Sequence, residues 1–241
     1  MNKKILIGLI FLLIFSILSY IVSIIVMKKI TDDRKNPWIV EGVRPANKPL
    51  FISQKKDDEN HIPILRSDNE EGGIEFSYSF WFIIRDWRYK YGEWKHVFHK
   101  GNKTSWPNRA PGVWFHKEHN NMRVYMNVHN KVDEYVDIED IPINKWVYVV
   151  VSVKNKYLDI YINGELVKRH ILSGIPKQNF NDLYITNFGG FGGFLGKFKY
   201  YNRALSPYEV FEFSKNVPKM SSIKMRTDEP PYLSYRWRQK N

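Results

Sequence analysis

The chain has 241 residues, 37 basic against 25 acidic side chains, a formal net charge of +12 and an aromatic share of 16%. It contains no cysteine, which excludes a disulfide scaffold, a thiolate nucleophile and a cysteine-based zinc site. The length suits one sizeable domain with flanking segments, and the aromatic share favours β structure, because aromatic side chains fit a pleated surface.

The most distinctive segment is an uncharged apolar run over residues 5–27, bracketed by Lys3-Lys4 and Lys28-Lys29. As a helix rising about 1.5 Å per residue, this run covers roughly 34 Å, enough for a hydrocarbon core of about 30 Å. The alternative is a cleaved signal peptide, whose apolar core is shorter and ends at a small-residue site that is missing here. We therefore predict a single-pass transmembrane anchor over residues 1–29.

Basic residues are more numerous on the C-terminal flank of this run. Two precede it and five follow it: Lys3 and Lys4 before, and Lys28, Lys29, Arg34, Lys35 and Arg44 after. The positive-inside rule then leans toward a cytoplasmic globular part, and the absence of cysteine points the same way. We predict a membrane location with the side of the globular part open and a lean toward the cytoplasm.

Residues 30–73 are polar, contain four prolines and show little apolar periodicity. This composition predicts a stalk or irregular linker between membrane and domain. The alternative is that its few apolar side chains, Trp38, Ile39, Val40 and Phe51, dock on the domain.

From residue 74 the apolar pattern has period two, with Phe76, Tyr78, Phe80, Phe82 and Ile84 on one predicted face. Further strands are predicted over residues 94–99, 112–116, 122–128, 134–138, 146–153, 157–163, 165–171, 183–186 and 194–201. Residues 146–153 are almost wholly apolar, which is typical of a central strand buried on both faces. Many short strands indicate a β-sandwich.

Two local signals complete the domain. Asn163-Gly164 supplies the left-handed backbone conformation of a two-residue hairpin turn. Ser206 and Glu209 form a capping box with Pro207 at the first helical position, so a short helix is predicted over residues 206–214 with Val210 and Phe213 facing the sheet.

The C-terminal tail, residues 215–241, has seven basic side chains against two acidic ones. A solvated basic tail near an anionic membrane explains this charge, and we expect no nucleic-acid partner.

Several segments together resemble laminin-G-like, concanavalin A-like domains. They are the strand 76–82, the strand 144–152, the hairpin 158–167, the glycine-rich run 189–196 and the ending 201–210, which reads Tyr-Asn-Arg-Ala-Leu-Ser-Pro-Tyr-Glu-Val. The resemblance covers residues 74–214 and implies a two-sheet antiparallel jelly roll, all-β apart from the N-terminal transmembrane helix and the short C-terminal helix. Similar domains serve as lectins, adhesion modules, glycan hydrolases and structural modules, and some lie behind single anchors in virion proteins of large DNA viruses.

Hydrolytic members of this superfamily place several carboxylates on one strand face. The nearest pattern here is Glu134, Asp137 and Glu139, but Glu134 is three positions from Asp137 and therefore predicted to point away from it. We predict no catalytic residues and no enzyme activity.

Metal sites have little support. His96 and His99 are three apart on a predicted strand and so are expected on opposite faces, and His116 and His119 lack a visible third ligand. Weak calcium candidates at the sandwich rim are Asp133, Asp137 and Asn187. No cofactor is predicted.

Two predicted loops combine aromatic and basic residues, as binding loops at a sandwich rim often do. The ligand-binding candidates are Trp87, Arg88, Tyr89, Tyr91, Trp94, Trp106 and Arg109. The alternative is that the tryptophans fold back and cover the sandwich edge. Asn102 begins a glycosylation sequon, which matters only for a lumenal domain.

The leading hypothesis is a membrane-anchored, non-catalytic recognition module that binds a glycan or a protein through rim loops. The main alternative is a minor virion protein that tethers a membrane to capsid proteins, and the third is a glycan hydrolase.

Overall fold

The computed structural model describes residues 3–67 and 73–219, which form two helices and twelve strands. Most of the predicted basic tail lies outside the described residues. The elements are α1 (Lys3–Lys35), β1 (Trp38–Pro45), β2 (Leu50–Ile52), β3 (Glu75–Asp86), β4 (Lys95–Gly101), β5 (Arg109–Phe115), β6 (Met122–Tyr125), β7 (Tyr135–Ile138), β8 (Val147–Lys154), β9 (Tyr157–Ile162), β10 (Glu165–Ile171), β11 (Leu183–Ile185), β12 (Gly192–Tyr201) and α2 (Pro207–Ser214).

The strands form two six-stranded antiparallel sheets. The first sheet has the order β1-β12-β3-β8-β9-β10 and the second has the order β2-β11-β4-β5-β6-β7. Their inner faces enclose one apolar core. The predicted jelly-roll sandwich is therefore confirmed.

Strand β3 shows how the period-two pattern builds this core. Phe76, Tyr78, Phe80, Phe82 and Ile84 all enter the cluster between the sheets, as predicted. The alternate residue Trp81 belongs to a second cluster on the outer face of the first sheet. The strand is buried on both sides because helix α2 covers part of that outer face.

Helix α2 begins with the predicted capping box: Glu209 N–H donates to Ser206 Oγ, and the Glu209 carboxylate accepts from Ser206 N–H at 3.0 Å. Val210 is buried in the outer cluster, and Phe213 packs against the same cluster and stacks on Tyr201. The helix explains why β8 is apolar on both faces, as the sequence predicted.

The predicted stalk is corrected over two stretches. Strand β1 pairs with β12 as an edge of the first sheet, and β2 pairs with β11 as an edge of the second. Ile39 and Ile52 enter the core, so these strands contribute to the sandwich itself. Strand β2 has only three residues, and β1 shifts its register against β12. Neither segment therefore shows a clear alternation of apolar and polar residues in the sequence.

Helix α1 extends eight residues beyond the apolar run, to Lys35. From Ile7 to Lys35 it is long and apolar enough to cross a membrane, a test that an N-terminal signal sequence also passes. Ser16 and Ser23 donate their hydroxyls to the carbonyls of Leu13 and Ser19, both at 2.9 Å, so these polar groups are satisfied within the helix.

Candidate functional site

A row of six aromatic rings crosses the outer face of the second sheet, one ring from each strand. In strand order they are Phe51, Tyr184, His99, Trp114, Tyr125 and Tyr135, with neighbouring centroids 5.0 to 5.8 Å apart. These side chains alternate with core residues along their strands, which places them on the outer face. We call this set the aromatic row.

Gly112 makes room for the largest ring in the row. Gly112 pairs with His99 on one side and with Tyr125 on the other. Because glycine has no side chain, its position leaves a gap between those two rings. The indole of Trp114 fills that gap, lying so close that a Cβ atom on Gly112 would be 2.4 Å from Trp114 Cζ3. Trp114 is consequently only 7% exposed.

His96 lies beside His99 under the same surface, which corrects the prediction that these two histidines face opposite sides. A register shift in β4 between His96 and Phe98 changes the phase of the strand. His96 Nε2 and His99 Nδ1 are 2.7 Å apart, and both side chains are fully buried.

The hydrogen bonds around this pair fix both rings as neutral. The N–H of Asn187 donates to His96 Nδ1 at 2.9 Å, so His96 carries its proton on Nε2 and donates it to His99 Nδ1. His99 Nε2 then donates to the carbonyl of Asn102 at 2.8 Å. Burial lowers the pKa of His99 to about 4 and lowers the pKa of His96 well below its ordinary value.

Two arginines lie on the rings near the edge strand β7. Arg109 Cζ is 3.5 Å from the centre of the Tyr125 ring, and Arg123 Cζ is 3.8 Å from that of Tyr135. Arg123 also approaches Trp94 at 4.8 Å, and Arg109 approaches Trp106 at 5.6 Å. These six residues form what we call the arginine–aromatic patch: Trp94, Trp106, Arg109, Arg123, Tyr125 and Tyr135.

The two arginines differ in their partners. Arg123 donates to Asp137 from Nε and Nη2, both at 2.7 Å, and this bidentate bond raises the pKa of Arg123. Arg109 forms no ion pair with a carboxylate within residues 3–67 and 73–219, and its Nε is buried without a hydrogen-bond partner. The Arg109 guanidinium is half-buried against the rings of Tyr125, Trp106 and Trp114. Burial lowers the pKa of Arg109, and the nearby Tyr125 and Asp133 partly offset this shift.

The structure brings three of the predicted ligand-binding residues together and separates the rest. Trp94 ends one predicted loop, and Trp106 and Arg109 end the other. Because the loops precede and follow β4, they lie at opposite ends of that strand, and Arg123 and Tyr125 connect them across the sheet face. Trp106 is 53% exposed and Tyr135 is 45% exposed, so both rings are accessible.

The remaining predicted binding residues belong to the loop after β3. Trp87 packs against the core and donates its Nε1–H to the carbonyl of Glu118, and the Tyr89 hydroxyl donates to the carbonyl of Gly189. These two side chains hold the loop in place. Arg88 and Tyr91 are exposed on it.

The carboxylates of the hydrolase-like pattern are engaged separately. Glu134 is buried and accepts from the Ser173 N–H at 2.9 Å, with His170 Nε2 also 2.9 Å away. Asp137 points outward to Arg123. The two groups therefore do not converge on one cleft.

No group of three or more His, Cys, Asp or Glu side chains is placed to hold a metal ion in the described part of the chain. Of the calcium candidates, Asp137 is bound to Arg123, while Asn187 donates its backbone N–H to His96 and Asp133 is exposed. Rings of His116 and His119 stack, and His116 Nδ1 accepts two backbone N–H groups. The Asn102 amide donates to the carbonyl of Trp106 and accepts from Asn181.

Sequence reasoning missed Arg123, Tyr125 and Tyr135. Their signal is the alternation of outward Arg123, Tyr125, Tyr135 and Asp137 with inward apolar residues in β6 and β7. An outward face of aromatic and basic residues is unusual for a solvated sheet, and it identifies the patch.

The family model for the concanavalin A-like lectin/glucanases superfamily matches residues 45–211. No curated protein matches the chain. Similar solved structures include the receptor-binding domain of botulinum neurotoxin D, with a TM-score of 0.53 at 13% identity, covering 76% of this chain and 53% of that one. A second is the ligand-binding domain of botulinum neurotoxin serotype D in complex with N-acetylneuraminic acid, with a TM-score of 0.54 at 12% identity, covering 77% and 52%. The chain thus spans about half the length of these structures, and the likeness concerns the fold.

Proposed function

Because this chain belongs to the concanavalin A-like lectin and glucanase superfamily, we propose that it is a membrane-anchored, non-catalytic module that recognises a glycan through the arginine–aromatic patch. The observation that carries this proposal is the chain of contacts from Trp94 through Arg123, Tyr125 and Arg109 to Trp106. It presents accessible rings, and a guanidinium that has no ion pair with a carboxylate in the described ranges, on one sheet face.

The chemistry of these groups suits an acidic sugar. Aromatic faces stack on the apolar faces of sugar rings, and guanidinium groups pair with carboxylate or sulfate oxygens. The patch shares Tyr125 and Tyr135 with the packed aromatic row, so little conformational freedom of these rings is lost on binding. Tryptophan, tyrosine and arginine are also enriched at the centres of protein interfaces, which makes a protein the second candidate partner.

Helix α1 supports the anchor in this proposal. Its apolar run is longer than the core of a signal peptide, and Lys28 and Lys29 follow it directly. Protease protection of the full chain in microsomes would assign the side of the membrane. The capsid-tether alternative requires a cytosolic domain, so a lumenal domain would exclude that alternative.

The binding test uses the full chain in uncharged detergent micelles on a glycan array that includes carboxylated and sulfated sugars. We expect binding to acidic glycans, and a loss of at least about tenfold in affinity for Trp106→Ala and for Arg109→Gln, which corresponds to about 1.4 kcal/mol per contact. Tyr208→Ala is the control, because Tyr208 is an exposed ring on α2, outside the patch.

The outcomes separate the candidate partners. Binding of a protein in a pull-down that is lost with Trp106→Ala, together with an empty glycan array, would replace the glycan by a protein. Failure of both assays with a well-folded chain would overturn the proposal. Turnover of β-glucans that disappears in Asp137→Asn would overturn its non-catalytic part.

A further inference from the structure

A cleft of about 520 Å³ lies on the outer face of the first sheet, away from the arginine–aromatic patch. Its walls come from β1, β3, β8, β12, helix α2 and the segment after α2. The lining residues are Trp38, Glu41, Ser79, Trp81, Tyr148, Lys197, Lys199, Tyr201, Phe213 and Asn216. Five of these ten are aromatic, and two are lysines.

The aromatic walls of the cleft are held in place by one another. Trp81 and Tyr148 have ring centroids 5.1 Å apart, and Tyr201 stacks on Phe213 at 5.9 Å with an interplanar angle of 11°. Ser79 lines the same cleft beside Tyr148 and Tyr201. A flat ring entering the cleft would therefore meet a preformed surface.

The lysines bring positive charge to the same walls. Lys199 Nζ lies 4.9 Å from the centre of the Trp38 ring and 5.3 Å from that of Tyr201. Lys197 Nζ donates to the carbonyl of Asn216 at 3.0 Å. Within the described ranges neither lysine forms an ion pair with a carboxylate, so both charges are open to an anion. Glu41 also lines the cleft, and its carboxylate can accept from a ligand hydroxyl group while it keeps a phosphate on the lysine side.

The cleft adjoins the end of helix α1. Trp38 lies three residues after Lys35, and Asn36 links the two parts by donating to Asp32 Oδ1 and accepting from the Asn202 N–H. Burial raises the pKa of Tyr201, which lines the cleft, and the negative charge of Asp32 adds to this shift. From Met27 to Lys35 the helix rises about 12 Å, which exceeds the roughly 5–8 Å depth of one headgroup layer.

We propose that this cleft binds the phosphorylated cyclic-polyol headgroup of an anionic lipid in the membrane that helix α1 enters. This inference rests on the anchor in the proposed function. The aromatic walls match a ring, the two lysines match phosphate oxygens, and the position matches a headgroup that protrudes beyond its neighbours. Lys28, Lys29, Arg34 and Lys35 on the helix attract the same anionic surface.

The test is a titration of the full chain in uncharged detergent micelles with inositol trisphosphate, followed by tryptophan fluorescence and calorimetry. We expect saturable binding, with no binding of inositol or phosphocholine. Lys197→Gln/Lys199→Gln should weaken the affinity at least about tenfold, because the charge-assisted hydrogen bonds to phosphate oxygens are lost. Lys197→Arg/Lys199→Arg, which keeps both charges, should retain binding and shows that the site folds.

Lys56→Gln/Lys103→Gln is the matched control, since these lysines are exposed and lie away from the cleft. Vesicles that contain a phosphatidylinositol phosphate should bind the chain more tightly than vesicles of equal charge made with phosphatidylserine. Equal binding to both, or titrations unchanged in the glutamine variant, would overturn the proposal.

Carbonate extraction of membranes distinguishes a failure of the cleft proposal from a failure of the proposed membrane anchor. A chain that stays in the membrane but fails the trisphosphate titration overturns the cleft alone. A chain that titrates but is extracted overturns the anchor, and with it the lipid as the source of the headgroup.

Discussion

In strand β5 the indole of Trp114 lies over Gly112, where a Cβ atom would be 2.4 Å from Trp114 Cζ3. The contact keeps the aromatic row continuous between His99 and Tyr125. Glycine is required at this position for the close approach of a side chain, since the backbone there is ordinary extended strand.

Gly112→Ala should therefore destabilise the domain. The added methyl group forces the indole out of its position, and overpacking of this kind costs about 2 kcal/mol. Denaturant midpoints and the near-ultraviolet circular dichroism of the tryptophans would measure the change. Gly42→Ala is the control, because nothing lies within 4 Å of the corresponding Cβ, and its effect should stay within about 0.5 kcal/mol. Equal effects of the two substitutions would show that the indole does not depend on Gly112.

The buried histidine pair should make the domain acid-sensitive. The pKa of His99 is about 4 when folded against about 6.5 when unfolded, because burial disfavours its charged form and the positive charge of Arg109 adds to this effect. Between these values the unfolded chain binds more protons. Stability is thus complete above pH 6.5 and falls as the pH drops toward 4, by roughly 2 kcal/mol at pH 5.

Denaturation of the chain in micelles at pH 7.5, 6.5, 5.5 and 5 would measure this slope. Variant His96→Gln/His99→Gln removes both titrating groups and should show a flatter pH dependence, even where its stability at pH 7.5 is lower. A native chain whose stability is constant across this range would contradict the neutral hydrogen-bond relay.

Two of the three tryptophans singled out by the sequence, Trp87 and Trp106, should behave differently. Trp87→Ala removes a ring that packs on the core and donates to Glu118, so we expect a loss of about 2 kcal/mol in stability. Trp106→Ala removes a half-exposed ring and should change stability by less than about 0.5 kcal/mol while it weakens partner binding. Thermal unfolding of both variants would test these roles. A larger loss of stability for Trp106→Ala than for Trp87→Ala would contradict them.

The domain should require residues before position 74. A chain of residues 36–219 keeps β1 and β2 and is expected to be monomeric with protected amides in both sheets. A chain of residues 74–219 exposes the edges of β12 and β11 and loses Ile39 and Ile52 from the core, so we expect aggregation. Size-exclusion chromatography and hydrogen exchange would compare them, and a monodisperse shorter chain would place the boundary where the sequence predicted it.

The sequence by itself determined the elements whose signals are local. The alternation in β3, the apolar run in β8, the Asn163-Gly164 turn and the capping box of α2 each follow from contacts within a few residues, and all four occur in the structure. The apolar run of α1 is likewise visible within one continuous stretch of the sequence.

Only the tertiary structure decided what depends on partners distant in the chain. The edge strands β1 and β2 exist because β12 and β11 offer them hydrogen bonds, which their own short segments do not reveal. A shift of register in β4 turned two histidines to one face, where period-two counting had separated them. The patch likewise depends on tertiary structure, because Arg123 contacts Trp94 and Arg109 contacts Trp106 while both arginines lie near the Tyr125 ring.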